Sequence, residues 1–297
     1  MKLTRYGFFI VYFGIFFLGI SCFSKQELPV LKYYNYDHQL PLKDSIHLLS
    51  VEDGLKIYDV RFSSIHNQRV NGLLTVPTTK EEPHPVIILL HGLGDRKTVD
   101  YIEAGHDYFI KSGYAVLRID IANHGERKAD DYDFSLTDGY RYWTRDIITQ
   151  TVFDLRRSID FLHSRKEIDP DQIGYFGISL GGVIGTIFCG VDNRVKVPVI
   201  ALAGGNLSLM FGMDALTEDT KDFFSIIDPI NFVEQIAPRP LLMINAENDE
   251  VIVPITSKLL FNKAKQPKEI IWYPSRHRDL PIDKAYPAGI EWFNKYL

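Results

Sequence analysis

The hexapeptide Gly177-Ile178-Ser179-Leu180-Gly181-Gly182 lies between a strand-like apolar run, residues 173–178, and a helix-like run, residues 180–189. A serine on a sharp turn between a strand and a helix presents its hydroxyl at the edge of a sheet. The neighbouring glycines let the backbone crowd around such a turn, because they carry no Cβ atom that could clash. A Gly-x-Ser-x-Gly string alone occurs by chance in many proteins, whereas the same string in this setting is specific. The pattern therefore predicts that Ser179 is a nucleophile.

Strand-like and helix-like patterns alternate along most of the chain on either side of this turn. Short apolar runs typical of strands occur at residues 56–62, 69–76, 85–90, 114–119, 173–178, 195–202, 240–245 and 269–273. Runs with helical spacing occur before residue 113 and at residues 143–163, 180–189, 255–264 and 285–296. This alternation predicts a mostly parallel central sheet of about eight strands with helices on both faces. The expected fold class is therefore α/β.

The composition is that of a packed globular protein. Of the 297 residues, 45% are hydrophobic and 24% are charged. The formal net charge is -5, and acidic and basic residues are interspersed, so we expect no nucleic-acid partner. The two cysteines, Cys22 and Cys189, indicate neither a disulfide framework nor a Cys/His metal cluster, so we expect no metal and no cofactor. Cys189 lies in an apolar stretch and is expected to be buried.

The first two dozen residues have the layout of an export signal. Lys2 and Arg5 precede an almost uncharged apolar run over residues 6–23. This run falls slightly short of the about 20 apolar residues that a comfortable membrane span needs. Its end, Leu18-Gly19-Ile20-Ser21-Cys22, resembles a bacterial lipobox, with a glycine where leucine is usual. We expect an exported protein of the cell envelope, tethered to the membrane by a lipid on Cys22 or by an uncleaved anchor.

These patterns divide the chain into three parts. Residues 1–24 are expected to be a signal peptide or a lipoprotein signal or anchor, residues 25–53 an N-terminal extension, and residues 54–297 the catalytic domain. Within the last part, an apolar insertion that includes residues 207–224 separates two predicted strands. It predicts either a small cap over the site or a packed surface helix.

Four separated motifs occur in the order found in the α/β-hydrolase superfamily. They are the His91-Gly92-Leu93-Gly94 loop after a buried strand, the Ser179 turn, the segment from Asn248 to Pro254, and His277 beyond the last strand. On these motifs the chain, from about Arg69 onward, resembles the branch that contains dienelactone hydrolases, acetyl xylan esterases and the catalytic domains of prolyl oligopeptidases. The resemblance implies an α/β-hydrolase fold. The chain departs from dienelactone hydrolases in using serine where they use a cysteine nucleophile.

The resemblance also implies a role for each matched residue. A serine hydroxyl is a poor nucleophile at neutral pH, so His277 is expected to accept the proton of Ser179, and Asp249 to orient the imidazole. The backbone N–H groups of Leu93 and Leu180 are expected to form the oxyanion hole. In the family pattern His91 is structural and shapes its loop.

Three carboxylates compete to orient His277. Asp279 is only two residues away and is too close to fold back to Nδ1 while the imidazole faces Ser179. Glu247 stands at the end of its predicted strand, where its longer side chain makes a looser clamp. Asp249 matches the acid position of the family. A further histidine, His124, is expected near the site, where it contacts substrate.

Together these observations predict a serine hydrolase that cleaves a carboxylic ester through an acyl-enzyme. The substrate is expected to be a small-molecule or carbohydrate ester, and deacetylation of carbohydrate is one such reaction. A serine peptidase of prolyl oligopeptidase type is an alternative, although the N-terminal propeller of those enzymes is absent from this sequence. A second alternative is a non-catalytic envelope lipoprotein. The presence of nucleophile, acid and base in one chain argues against it.

Overall fold

The computed structural model describes residues 29–78, 81–129, 134–136, 139–209 and 223–297. Within these ranges the strands are β1 (Ser45–Glu52), β2 (Leu55–Ser63), β3 (Arg69–Pro77), β4 (His84–Leu90), β5 (Ala115–Ile119), β6 (Ile168–Ile178), β7 (Val197–Ala201), β8 (Leu241–Ala246) and β9 (Lys268–Tyr273). The helices are α1 (Pro29–Lys32), α2 (Asp100–Lys111), α3 (Arg141–His163), α4 (Leu180–Val191), α5 (Pro254–Lys263) and α6 (Ile282–Tyr296).

The nine strands form one sheet in the order β1-β2-β3-β5-β4-β6-β7-β8-β9. The pairs β1/β2, β2/β3 and β3/β5 are antiparallel, and every pair from β5/β4 to β8/β9 is parallel. The predicted α/β class with a mostly parallel sheet is therefore confirmed, with nine strands instead of about eight.

The additional strand is β1, which lies in the segment predicted as an N-terminal extension. It pairs with β2 at the edge of the sheet, and its apolar side chains Leu48, Leu49 and Val51 are more than half exposed. A strand without a buried face lacks the alternation of apolar and polar residues that identifies most strands. The division into extension and catalytic domain stays a prediction.

Each face of the sheet carries its own apolar layer. Successive residues of a strand point to opposite faces, so Val86, Ile88 and Leu90 of β4 pack in a first layer while Ile87 and Leu89 pack in a second. The first layer is completed by buried side chains of α3, α4 and α5, and the second by those of α2 and α6. Cys189 of α4 is buried in the first layer, as expected, and burial raises the pKa of its thiol to about 12.

The strand order brings several loops together at one edge of the sheet. From β4 the chain crosses to β5 on one side and then returns to β6 on the other. In open parallel sheets, ligands bind beyond the carboxyl ends of the strands at such a reversal point. The loops after β4, β6 and β8 carry the His91 motif, Ser179 and Asp249. The topology therefore places the predicted site residues at one edge.

Two of the predicted features lie wholly or partly outside the described residues. The predicted export signal over residues 1–24, with Cys22, lies entirely outside them. The insertion over residues 207–224 is described only at its two ends, because residues 210–222 lie outside as well. In the described part of the chain, no helix combines the length and the apolar character that a membrane span requires.

Candidate active site

Ser179 occupies a strained turn between β6 and α4. Its backbone has φ 56° and ψ -118°, and residues other than glycine seldom adopt a positive φ. Such a conformation costs about 1–3 kcal/mol and persists only where the surrounding structure enforces it. The Ser179 N–H donates to the carbonyl of Ala201 at 2.9 Å, and its carbonyl accepts from the Val183 N–H at 2.9 Å. These bonds to β7 and α4 hold the serine at the end of its strand.

The glycines on both sides of Ser179 are required by close backbone approach. A Cβ atom on Gly181 would lie 2.6 Å from the carbonyl oxygen of His91, in the loop after β4. A Cβ atom on Gly177 would overlap the carbonyl oxygen of Gly181. The turn is thus packed directly against the backbone of the His91 loop, as the glycine pattern predicts.

His277 connects Ser179 to Asp249. Its Nε2 lies 3.0 Å from Ser179 Oγ, and its Nδ1 lies 2.9 and 2.8 Å from Asp249 Oδ1 and Oδ2. Asp249 Oδ1 also accepts from the N–H groups of Val251 and Ile252, at 2.9 and 2.7 Å. These N–H groups hold the carboxylate as an acceptor, so Nδ1–H donates to it and leaves the Nε2 lone pair facing the hydroxyl. This arrangement positions Nε2 to take a proton from Ser179.

Of the three carboxylates considered from sequence, Asp249 is the buried one. It is 6% exposed, whereas Glu247 and Asp279 are open to solvent. A fourth carboxylate that sequence reasoning missed belongs to Glu250, whose Oε2 accepts from the backbone N–H of His277 at 3.3 Å. In the sequence, the feature that could have pointed to Glu250 is its position next to Asp249 in the same loop.

The two predicted oxyanion donors, Leu93 and Leu180, both line the space beside Ser179. Leu180 is the first residue of α4, so its N–H has no acceptor inside the helix. Leu93 follows Gly92, whose N–H donates to the hydroxyl of Tyr101 at 2.8 Å. The Tyr101 hydroxyl in turn donates to Asp95 Oδ2 at 2.8 Å. Burial raises the pKa of Tyr101, which keeps this hydroxyl protonated and able to donate.

Tyr101 was not predicted from the sequence. It lies on the first turn of α2, where a tyrosine has no pattern that distinguishes it from a packing residue. Only the fold brings its hydroxyl to the Gly92 backbone.

A cluster of charged side chains, which includes a buried ion pair, stabilises the loop after β4. Lys97 donates from its backbone N–H to Asp120 Oδ1 at 2.8 Å, and its Nζ lies 2.6 Å from both Asp120 Oδ2 and Glu126 Oε1. The side chains of Asp120 and Lys97 are 0% and 4% exposed. Removing one partner of a buried ion pair leaves the other charge without compensation, which is strongly destabilising. The cluster ties the loop after β4 to the end of β5.

The site opens into a cavity of about 680 Å³. Its polar lining side chains are those of Asp95, Tyr101, Ser179, Glu250, His277 and Arg278. Its other lining residues are Gly92, Leu93, Phe134, Leu136, Ile148, Ile178, Leu180, Val183, Leu202, Leu207, Leu209, Val251, Ile252, Val253, Leu280 and Ile282. Leu207 and Leu209 belong to the insertion predicted to overhang the site. Among the described residues, no group of three or more His, Cys, Asp or Glu side chains is placed to hold a metal ion.

The two other histidines singled out from the sequence lie beside one another. His91 Nε2 accepts from the Ile121 N–H at 3.0 Å, so its Nδ1–H donates to the Gly92 carbonyl at 2.7 Å. Burial lowers the pKa of His91 to about 4, so the ring is neutral. His124 donates from Nδ1 to the Ala122 carbonyl at 2.9 Å, and its ring centroid lies 5.7 Å from that of His91. The expectation that His124 contacts substrate finds no support, since it is not among the described residues that line the cavity.

Comparison with known families gives one match that covers most of the chain. Residues 21–202 match the model of the acetyl xylan esterase family. Among curated proteins, one from Bacillus subtilis, named "Putative hydrolase YtaP", is 32% identical to this chain over 139 residues. The matched residues cover 41% of this chain and 44% of that protein. Acetyl esterase Axe7A of Xylanibacter ruminicola is 23% identical over 273 residues, which cover 82% of this chain and 60% of that protein. The chain spans less than two thirds of either relative.

Solved structures of acetyl xylan esterases share the fold. The enzyme from Paenibacillus sp. R4 superposes with a TM-score of 0.75 at 21% identity, covering 92% of this chain and all of that one. The enzyme from Thermoanaerobacterium sp. JW/SL YS485 gives a TM-score of 0.73 at 18% identity, covering 90% and 93% of the two chains. The overall fold therefore recurs at low sequence identity.

Proposed function

The chain belongs to the acetyl xylan esterase family, a family of ester-hydrolysing enzymes with the α/β-hydrolase fold, and we propose that it hydrolyses carboxylic esters through an acyl-enzyme on Ser179. The observation that supports this most directly is the hydrogen-bonded series from Asp249 through His277 to Ser179, at the wall of a cavity. Nucleophile, base and orienting acid within hydrogen-bond reach of one another are the signature of an activated serine.

In the first half of the reaction, Ser179 Oγ attacks the ester carbonyl carbon while its proton passes to His277 Nε2. The carbonyl oxygen becomes negative and accepts hydrogen bonds from the N–H groups of Leu93 and Leu180. His277 then gives the proton to the leaving alkoxide, the C–O bond of the ester breaks, and an alcohol departs. Asp249 stabilises the imidazolium throughout and stays unprotonated.

In the second half, water attacks the acyl-serine and transfers a proton to His277 Nε2. The tetrahedral intermediate collapses, the bond from the carbonyl carbon to Ser179 Oγ breaks, and the serine recovers its proton from the imidazolium. A carboxylic acid leaves, and the enzyme returns to its starting state. The net reaction consumes one ester and one water.

The alcohol part of the substrate is proposed to be a carbohydrate, as the family name suggests. A sugar requires hydrogen-bonding side chains at the site. Asp95, Tyr101 and Arg278 line the cavity and supply both donors and acceptors.

Labelling with a fluorophosphonate probe tests the nucleophile. The wild type is expected to become labelled and to hydrolyse p-nitrophenyl esters, whereas Ser179→Ala should lose both properties. Ser112→Ala is the matched control, because Ser112 follows the last residue of α2 and its hydroxyl donates to the Tyr108 carbonyl. Persistent labelling of Ser179→Ala, or no labelling of an active wild type, would refute the assignment. Hydrolysis of aminoacyl anilides in preference to esters would indicate the peptidase instead.

The location of the protein is a second part of this proposal. Lys2, Arg5, the apolar run over residues 6–23 and the lipobox-like end at Cys22 support export and attachment to the cell envelope. Lipid on Cys22 would hold the catalytic domain at a membrane surface.

A further inference from the structure

The loops after β8 and β9 run side by side as far as His277. The Glu247 N–H donates to the Tyr273 carbonyl at 2.8 Å, and the Asn248 N–H donates to the Ser275 carbonyl at 3.0 Å. These two bonds continue the parallel pairing of β8 with β9 beyond the ends of both strands. The backbone of the first loop therefore sets the position of the second.

Beyond these bonds, two adjacent carboxylates of the loop after β8 hold His277 at two different points. Asp249 accepts from the ring at Nδ1, at 2.8 and 2.9 Å, and Glu250 Oε2 accepts from the backbone N–H at 3.3 Å. His277 is the first residue of a short 3₁₀ turn, and the side chain of the preceding residue, Arg276, makes no capping bond to it. The first N–H groups of a helix have no partner within it. The Glu250 carboxylate supplies an acceptor for the first of them.

The Glu250 side chain is an ionised acceptor at the edge of the site. Hydrogen bonds from its own backbone N–H and from that of His277 lower the pKa of Glu250 from its ordinary value of 4.5. The side chain lines the cavity and is 47% exposed, so its removal does not disturb the core. Arg276 Nε lies 3.7 Å from the same Oε2, but ion pairs between exposed side chains contribute little. The bond to the His277 N–H is therefore the contact through which Glu250 can act on the base.

A bond to Nδ1 alone leaves His277 free to move with its backbone. The ring can pivot about the Asp249 carboxylate, and a pivot carries Nε2 away from Ser179 Oγ, which lies at 3.0 Å. Proton transfer needs a heavy-atom separation of about 2.6–3.2 Å, so a shift of about half an ångström is enough to interrupt it. A second bond, to the backbone of the same residue, restricts this pivot because two points fix a direction.

We propose that Glu250 is a positioning residue for ester hydrolysis. It holds the backbone of His277 so that Nε2 stays within reach of Ser179, while Asp249 orients the ring. The role requires an acceptor oxygen and does not depend on the negative charge. The inference rests on the proposed function, because the base and the nucleophile are those of the proposed reaction.

Kinetics of Glu250→Ala on a p-nitrophenyl ester test the proposal. We expect kcat to fall roughly tenfold, the lower end of the loss expected when a reacting geometry is displaced by up to about 1 Å. KM should stay close to that of the wild type. The rate at which a fluorophosphonate labels Ser179 should fall by a similar factor, because labelling needs the same proton transfer but no bound ester. Glu250→Gln, whose amide oxygen can still accept from the N–H, should recover most of the lost kcat.

Two controls separate this bond from general effects of charge and stability. Arg276→Ala removes the ion pair of Glu250 but leaves its bond to His277, so kcat should stay near that of the wild type. Glu234→Ala is the matched control, because Glu234 is also a partly exposed carboxylate that is paired with two lysines. It is not among the described residues that line the cavity, so its kcat should equal that of the wild type.

Three results would overturn the role of Glu250. They are an unchanged kcat in Glu250→Ala that circular dichroism shows to be folded, a loss confined to KM, which would mean that the carboxylate contacts substrate, and a Glu250→Gln as impaired as Glu250→Ala, which would mean that the charge is required. In each case the proposed function stands if Ser179→Ala abolishes hydrolysis. If the wild type hydrolyses no ester, the proposed function fails, and the role of Glu250 fails with it.

Discussion

His277 Nδ1 lies 2.9 and 2.8 Å from the two carboxylate oxygens of Asp249. The carboxylate is itself held by the backbone N–H groups of Val251 and Ile252. The direction in which Nε2 points is therefore determined by the loop after β8, which lies beside β9 and the histidine that follows it.

Asp249→Asn is expected to lower kcat by about 10⁴, as loss of the orienting aspartate does in serine proteases. An asparagine amide donating to Nδ1 would favour the tautomer with its proton on Nε2, which cannot accept the proton of Ser179. The measurement is kcat on a single p-nitrophenyl ester, with circular dichroism to show that the variant is folded.

Glu247→Gln and Asp279→Asn are the controls for this change, because both side chains are exposed carboxylates close to the site in sequence. Each should reduce kcat by far less than Asp249→Asn. If Glu247→Gln lost most of its kcat while Asp249→Asn kept a kcat close to that of the wild type, Glu247 would be the orienting acid.

Tyr101→Phe should reduce kcat by roughly 10- to 100-fold, the size of effect expected when a reacting geometry is displaced by up to about 1 Å. Without the hydroxyl, the Gly92 N–H and Asp95 each lose a partner, and the next residue, Leu93, carries a proposed oxyanion donor. Steady-state kinetics should show the loss mainly in kcat. Tyr108→Phe is the control, because Tyr108 lies on the same helix but is not among the described residues that line the cavity. Equal losses in both variants would speak against a positioning role for Tyr101.

Stability should fall in acid partly because of His91. Burial lowers its pKa from 6.5 to about 4, and protonation would destroy the acceptor that Nε2 offers to Ile121 N–H. Between pH 6.5 and 4 the unfolded chain binds more protons at this histidine than the folded chain does. The free energy of unfolding that neutral His91 contributes is therefore fully present above about pH 6.5 and is lost as the pH falls toward 4. The contribution is on the order of 3 kcal/mol.

Urea denaturation of wild type and His91→Gln between pH 7.5 and 4 checks this linkage. The free energy of unfolding of the wild type should fall more steeply with acid than that of the variant. Burial also lowers the pKa of His106, which should add the same slope to both proteins. Parallel pH profiles would show that His91 does not titrate abnormally.

Gly105→Ala should destabilise the protein although alanine is the better helix former. A Cβ atom on Gly105 of α2 would overlap the ring of Tyr286 on α6. Alanine gains about 1 kcal/mol in helix propensity, whereas overpacking a core costs about 1–3 kcal/mol, so we expect a net loss of about 1 kcal/mol. Urea denaturation measures it. Gly139→Ala, which has open space around its Cβ position, should be close to neutral, and a stabilised Gly105→Ala would contradict the packing.

Cys22→Ala is expected to abolish incorporation of radiolabelled fatty acid into the expressed protein. Cys189→Ala is the matched control, since Cys189 is buried in the core and should not affect labelling. A wild type that incorporates no fatty acid but stays bound to membranes would favour the uncleaved anchor.

The sequence was sufficient for features that depend on local patterns. Apolar periodicity identified eight of the nine strands, and the glycines around Ser179 identified the turn, because side-chain direction and backbone freedom are determined within a few residues. It failed at β1, where Leu48, Leu49 and Val51 are exposed and no buried face produces a pattern.

The tertiary structure alone decided which distant groups meet. Ser179 and His277 are 98 residues apart, and the Tyr101 hydroxyl reaches Gly92 only because α2 packs on the sheet beside the loop after β4. Local periodicity specifies that a segment has an apolar face, but the strand order determines what that face meets.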